Sequence, residues 1–473
     1  MTRSTFRGPR SAQTVMFAVA ILEAACNGHS LSQPGRDRGQ QTDGLSAINP
    51  RRDLDLLFVI DNSGSMEEAQ ASLAANFPLM IKELEALPQG MPDVHIAVVS
   101  SDFGAGVTNG ACPTYLGDHG RFLVNKGCGV KDGARWLESL EHGQQTNFEG
   151  DLAGTFGCLT KLGTEGCGYE HQLQSMRIAL SDVNPENQGF LRQEAALGII
   201  IVTDEDDCSA PPNSELFLGS RPGEVATLRC ASEGHLCDGE APPQHAFSTN
   251  LDSCQPRDGG ELIRVQEFVD FVRQLKPRPD EQILVAGIIG WPMDDGPHRY
   301  QYGEDTESSA AKPGDIDYLP TCNVAGAGKA YAGLRLKQFI DAFGGKGSTH
   351  SICGADFRSA MQKIGEALGT IIKPACVNAR PVDTDLATPG LQVDCQVSYL
   401  IPVEGERPRE EALPSCETEG QAPCWTLVED QLCAESGAPY RISVDDGGNQ
   451  APKGTLLSLR CLTCPDWEDP GCQ

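Results

Sequence analysis

Leu54-Asp-Leu-Leu-Phe-Val-Ile60 runs directly into Asp61-Asn62-Ser63-Gly64-Ser65-Met66. The first seven residues are almost continuously apolar, the pattern of a strand covered on both faces. Behind them, Met66–Leu87 carries Ala69, Leu73, Phe77, Ile81 and Leu84 at helical spacing. Working outward, three more buried strands are expected at His95–Ser101, Leu197–Thr203 and Gln282–Gly290, and a short one at Thr349–Ile352. Helical faces alternate with them: Leu173/Met176/Leu180, Val265/Phe268/Val269/Val272, Leu336/Phe339/Ile340/Phe343 and Phe357/Met361/Ile364/Leu368. Alternation of this kind predicts an α/β fold, a doubly wound, mostly parallel sheet flanked by helices. The sheet domain is expected over 53–373. Beyond it, residues 374–473 hold short alternating runs (Leu391–Tyr399, Tyr440–Val444, Thr455–Leu462) among eight cysteines, which read as a small β-rich domain held by disulfides.

The chain has 473 residues, with 37 Lys and Arg against 66 Asp and Glu, a net charge of −29. That balance opposes a nucleic-acid partner and suits divalent cations. No interior stretch has the length of a membrane-spanning helix.

Arg3, Arg7 and Arg10 precede an apolar run, Val15–Leu22, too short to span a bilayer. Ala24, Ala25 and Cys26 follow. The segment 1–26 resembles a bacterial lipoprotein signal with Cys26 as the lipidated residue, although Glu23 stands where that signal has an aliphatic side chain. The expectation is export to the cell envelope, on the outer membrane or cell surface, with a lipid anchor and a polar tether over 27–52. Nineteen cysteines call for an oxidising compartment. With Cys26 set aside, eighteen remain, in evenly numbered groups: Cys112/128/158/167, Cys208/230/237/254, Cys322/353 and eight from Cys376 to Cys472. The groups lie in long Gly- and Pro-rich insertions, near 103–167 and 205–260, and in the tail. Spacing leaves the pairing open. Cys461-Leu-Thr-Cys464 has no second pair or nearby histidines to make a zinc centre, so disulfides are expected there.

Asp61, Ser63 and Ser65 place a carboxylate and two hydroxyls at two-residue spacing on a strand-to-helix turn. Oxygen-only donors suit Mg²⁺ or Ca²⁺. Gly64 is expected to permit the turn. Here the sequence resembles the von Willebrand factor type A domain and its metal-ion-dependent adhesion site, over residues 53–373. The resemblance implies that Asp204, at the end of Leu197–Thr203, contacts the same ion. It also implies a threonine before the helix of Met176 and Leu180, where this chain has Glu170. Glu170 is carried as a metal residue, either binding the ion directly or through water and favouring Ca²⁺, or blocking a position. Thr164 is a possible substitute. The ion's open position then takes an acidic group of a protein or other partner.

Glu205-Asp-Asp207 and Asp315-Ile-Asp317 read as solvated loops, although the first could form a second cation site. The chain has no GxSxG, P-loop or GxGxxG after a strand. Asp61 after a buried strand also resembles the nucleophile of haloacid-dehalogenase-like phosphatases, a hydrolase reading, but that resemblance implies a second aspartate at position 63, where Ser63 stands and cannot shuttle the proton. The expectation is a non-enzymatic adhesion or scaffold module. A purely structural, metal-stabilised envelope protein is the remaining alternative.

Overall fold

The computed structural model describes residues 40–44 and most of 53–464; 1–39, 45–52, 465–473 and short internal stretches lie outside, the longest being 219–225, 293–297 and 305–315. Cys26 and Asp315 are among the residues outside.

The central sheet has seven strands: β1 (Leu54–Ile60), β2 (Val94–Ser100), β3 (Leu137–Leu140), β4 (Gln145–Thr146), β5 (Ala196–Val202), β6 (Ile283–Ile289) and β7 (Gly347–Ser351). Their order is β7-β6-β5-β1-β2-β3-β4. The first five in that order are parallel, and the β3–β4 hairpin continues the sheet antiparallel to β2. The two edge strands β3 and β4 had no counterpart in the sequence reading. The four expected buried strands match β1, β2, β5 and β6; β1 has the expected ends, and the ends of the other three are shifted by one residue.

The helices are α1 (Glu67–Glu85), α2 (Leu152–Leu159), α3 (Gln172–Ala179), α4 (Ala226–Gly234), α5 (Val265–Gln274), α6 (Leu334–Asp341) and α7 (Arg358–Ile371). Side chains alternate across β1, so each face has its own core. Leu54, Leu56, Phe58 and Ile60 meet α1, α2 and α7; Leu57 and Val59 meet α3, α5 and α6. Phe58, Phe77 and Phe156 pack in the first core, with ring centroids 4.5 Å apart for Phe58–Phe156 and 3.8 Å for Phe77–Phe156. The one polar residue in β1, Asp55, is fully buried and engaged by Arg192 Nε at 2.8 Å and Lys276 Nζ at 3.4 Å. Those two residues precede β5 and follow α5, so the pair ties the α3/α5 face to the middle of the sheet.

The C-terminal region has a four-stranded antiparallel sheet, in the order 40–44, 456–463, 395–401, 409–413, and a three-stranded one, in the order 375–376, 440–445, 424–429. Val397, Tyr399, Trp425, Ile442, Leu457 and Leu459 form their shared core. Gln40–Gly44, within the segment read as a tether, is an edge strand paired with Leu459–Thr463.

Eight disulfides join Cys112–Cys167, Cys128–Cys158, Cys208–Cys230, Cys237–Cys254, Cys322–Cys353, Cys376–Cys433, Cys395–Cys461 and Cys416–Cys424. Every one closes within one of the sequence groups. Cys464 is also disulfide-bonded. Among the described residues no helix is long and apolar enough to cross a membrane.

Candidate metal centre

β1 lies between β5 and β2, and the chain crosses to opposite faces on either side of it. The carboxyl ends of β1 and β5 therefore bound a crevice at the switch point of the sheet, where such folds place ligands. Asp61 leaves β1 there, and Thr203-Asp204 leaves β5.

Asp61 is fully buried. Its Oδ1 accepts the Ser63 backbone N–H at 2.7 Å, and its Oδ2 accepts the Thr203 hydroxyl at 2.5 Å. The Ser63 and Ser65 hydroxyls are 3.5 Å apart. Ser65 also hydrogen-bonds the Asp204 carboxylate. The Ser101 hydroxyl, just past β2, donates to Glu170 Oε2 at 2.6 Å and lies 3.4 Å from Asp61 Oδ1. The Asp61 and Glu170 side chains are themselves within hydrogen-bonding reach. Asp61, Ser63, Ser65, Glu170 and Asp204 thus stand together. Sequence reasoning missed Ser101 and the role of the Thr203 hydroxyl. Gln172 Nε2 in turn donates to Thr203 Oγ1 at 2.9 Å. The available signal was positional: both hydroxyls immediately follow parallel strands.

The loop before α3 is held tightly against this turn. Gln70 Nε2 donates to the carbonyls of Asp61 and Gly163, at 3.1 and 2.9 Å. The Gly166 N–H donates to the Asn62 carbonyl at 2.9 Å. A Cβ on Gly166 would fall 2.4 Å from Asn62 Oδ1 and 2.8 Å from its carbonyl oxygen, so glycine is required there. Gly64 is different from its expected role: its φ is not left-handed and a Cβ would meet nothing within 4 Å. Cys167 is bridged to Cys112, and the Cys208 N–H donates to the Glu170 carbonyl at 2.6 Å. Thr164 sits partly buried in the same loop and makes no side-chain hydrogen bond to the carboxylates among the described residues.

The acids following Asp204 are not a solvated loop, contrary to the sequence reading. Asp206 and Asp207 are 8% and 1% exposed. Asp206 accepts the N–H groups of Arg335 and Leu336 at the start of α6, and its Oδ2 lies 2.8 Å from His235 Nε2. Asp207 accepts the Leu173 N–H at the start of α3 and pairs with the buried Arg335 guanidinium at 2.9 Å. Helix N-termini and buried cations hold these carboxylates in place of water. Asp317 lies in a short strand, Ile316–Tyr318, paired with Arg299–Glu304.

Burial raises the Asp61 carboxyl above its ordinary range. Burial, then Asp61, raises Asp204 to about 7. Burial, then Asp61 and Glu205, holds Glu170 well above the usual range. Glu205 is raised by burial and by Asp204, Asp61 and Asp317. Glu170 Oε1 and Asp204 Oδ1 are buried without a hydrogen-bond partner. Among the described residues no three His, Cys, Asp or Glu side chains are grouped to hold an ion by themselves. An ion here therefore needs serine oxygens as well. Buried, mutually repelling carboxylates beside two hydroxyls form a donor set that fits a hard divalent cation.

No protein-family model matches the chain, and no curated protein matches it. Among solved structures, the chain is similar to the pilus adhesin SpaC from Lactobacillus rhamnosus GG (8% identity, TM-score 0.29), covering 88% of this chain and 39% of that one. It is also similar to a von Willebrand factor type A protein from Catenulispora acidiphila (11% identity, TM-score 0.28), covering 92% of this chain and 67% of that one. A third is proximal thread matrix protein 1 from the mussel byssus, at 10% identity and TM-score 0.24, over 70% of this chain and 48% of that one. The fold described above rests on the sheet order and not on these superpositions.

Proposed function

We propose that this protein is a divalent-cation-dependent, non-enzymatic binding module of the cell envelope, an adhesin or scaffold. Mg²⁺ or Ca²⁺ is held by Asp61, Ser63, Ser65, Asp204 and Glu170 and presented to a partner. The observation that carries this reading is the convergence of those five side chains at the switch point, with a carboxylate oxygen of Glu170 and one of Asp204 left buried and unpartnered. Burying such oxygens is costly without a compensating charge. The bound ion supplies that charge and Lewis acidity. The chain's own groups do the rest. Thr203 and Ser63 fix the Asp61 carboxylate through hydrogen bonds, and Ser101 fixes Glu170. The glycine-pinned loop and its bridge hold Glu170 beside Asp61.

The disulfides suit an oxidising, exported location. A lipid anchor at Cys26 belongs to the same proposal. The test is calorimetric titration of Mg²⁺ and Ca²⁺, followed by capture of envelope fractions on immobilised protein with ion and with chelator. Binding lost with chelator while circular dichroism is unchanged supports the module. Loss of fold with no loss of specific capture makes the ion structural, and absence of any cation binding refutes the site.

A further inference from the structure

The geometry points to a partner that offers uncharged oxygens, the hydroxyls of a neutral polysaccharide, and to Glu170 as the residue that sets this preference. The inference rests on the cation reading above and adds the partner's chemistry. Glu170 is 1% exposed, its Oε2 is held by Ser101 at 2.6 Å, and its Oε1 is buried without a partner next to Asp61. Its backbone is fixed on both sides, by the Cys208 N–H on its carbonyl and by the His171 N–H on the Ser101 carbonyl at 3.1 Å. It is thus a built part of the site and not a solvated helix-start glutamate.

The charge count follows. Asp61, Glu170 and Asp204 act on one another electrostatically, so three negative charges surround the place of a divalent ion without forming a three-carboxylate ligand group. Glu205 interacts with Asp204 and Asp61, and Asp317 with Glu205, while Lys329 beside Asp204 contributes one positive charge. The loaded site stays negative, so a further carboxylate enters against uncancelled charge. Neutral hydroxyls carry no such penalty. A mixed set of carboxylate and hydroxyl oxygens also suits the flexible shell of roughly six to eight oxygens that Ca²⁺ takes, more than the strict octahedron of Mg²⁺.

Exposed apolar side chains on the loop that leaves Ser101 suit the apolar face of sugar rings. Tyr115 and Leu116 are 53% and 52% exposed. Their backbone lies against Gly104, where a Cβ would stand 2.4 Å from the Tyr115 carbonyl oxygen. Gly104 is three residues past Ser101, a span of at most about 10 Å. Phe103 and Phe217 flank the buried His171 from two loops, with centroids at 6.0 and 5.3 Å. Leu218, beside Phe217, is 36% exposed. An exposed ring near a cluster of oxygen donors provides an apolar platform and a hydroxyl-binding group side by side.

The experiment uses the full chain, wild type, Glu170→Thr and Tyr115→Ala. Ca²⁺ and Mg²⁺ are first titrated alone by calorimetry; binding of a neutral mannan and of a poly-aspartate peptide is then measured in each ion. The expected result is tighter Ca²⁺ than Mg²⁺ binding by wild type, mannan retained in Ca²⁺, and poly-aspartate not retained. Glu170→Thr is expected to weaken Ca²⁺ roughly tenfold or more and to gain poly-aspartate binding, as removal of one negative charge beside the ion predicts. Tyr115→Ala is expected to keep the cation affinity and lose mannan. Wild type that binds cation and retains poly-aspartate, or retains neither probe, overturns this inference and spares the metal site. Equal cation affinities for wild type and Glu170→Thr also overturn it. Wild type that binds no cation removes the site and this inference together.

Discussion

Asp61→Asn separates the ion's role from the fold's. The substitution keeps the shape of a fully buried side chain. Its amide oxygen still accepts the Ser63 N–H, now met at 2.7 Å. Its amide nitrogen faces Thr203 Oγ1, which already accepts Gln172 Nε2 at 2.9 Å and the Glu205 N–H at 3.2 Å. The Thr203 proton then turns to the Glu205 carbonyl, already 3.2 Å away. The new amide must share a crowded hydroxyl, but Asn leaves no cavity, which is the reason to prefer it to Ala. One of several mutually repelling buried carboxylates is removed, so the ion-free variant should be at least as stable as ion-free wild type. Loaded protein behaves differently. An ion that binds only the native state at 100 times its Kd adds about 2.7 kcal/mol. At about 2–4 °C per kcal/mol for a domain of a couple of hundred residues, wild type should gain about 5–10 °C. The variant should gain almost nothing. Scanning calorimetry of both proteins in Ca²⁺, Mg²⁺ and chelator reads this directly. An ion-induced shift in Asp61→Asn equal to that of wild type refutes the site, and an ion-free variant that melts many degrees lower means that Asp61 serves the fold.

Gly166→Ala should push the loop off Asn62, because its Cβ has no room at 2.4 Å from Asn62 Oδ1; cation affinity measured by calorimetry should fall although no ligand is changed. Arg335→Met should cost about 3–5 kcal/mol in urea unfolding, since it strands the buried Asp207 carboxylate; a loss below about 1 kcal/mol would show that the pair is dispensable. Mass spectrometry of the native N-terminus should find lipid on Cys26, and thiol counting of denatured protein should find no free cysteine; an unmodified N-terminus starting elsewhere contradicts the anchor.

The central strands were legible because burial on both faces removes alternation and leaves runs such as Leu54–Ile60 and Ala196–Val202. Three strands outside this group were not. Leu137–Leu140 and Gln145–Thr146 are too short for any period to show. Gln40–Gly44 is polar throughout and belongs to a sheet by main-chain pairing with residues more than 400 positions away. The core of the site was readable because its residue types and spacing are local: Asp61, Ser63 and Ser65 on one turn, Asp204 at one strand end. Glycine roles were misassigned between Gly64 and Gly166, since the close approach that demands glycine is tertiary. Glu205–Asp207 were read as solvated because the groups that hold them lie far along the chain. Arg335 is 128 positions from Asp207, and His235 is 29 from Asp206.

That last misreading bears on why the insertions are there. Four consecutive acids, Asp204 to Asp207, would repel one another and open the end of β5 if nothing countered them. Each instead has its own partner. Asp204 faces the candidate ion site and hydrogen-bonds Ser65, and its carbonyl accepts the Tyr331 N–H at 2.8 Å. Glu205 is approached by the Thr227 hydroxyl at 3.5 Å. Asp206 takes His235 and the start of α6; Asp207 takes Arg335 and the start of α3. Thr227 and His235 come from the Cys-rich insertion after β5, and Tyr331 from the insertion after β6. His235 is further held by the Tyr300 hydroxyl at 2.7 Å, inside a cluster in which tyrosines of the second insertion pack on Leu228, Ala231 and Leu251 of the first. The bridges Cys208–Cys230 and Cys237–Cys254 close the first insertion on either side of Thr227 and His235. The position of Asp204 is therefore set by how the two insertions fold against α3 and α6, as well as by β5. Disulfides that look peripheral in the sequence hold the second layer of the proposed metal centre, which gives a physical reason for the stapled loops to lie at this end of the sheet.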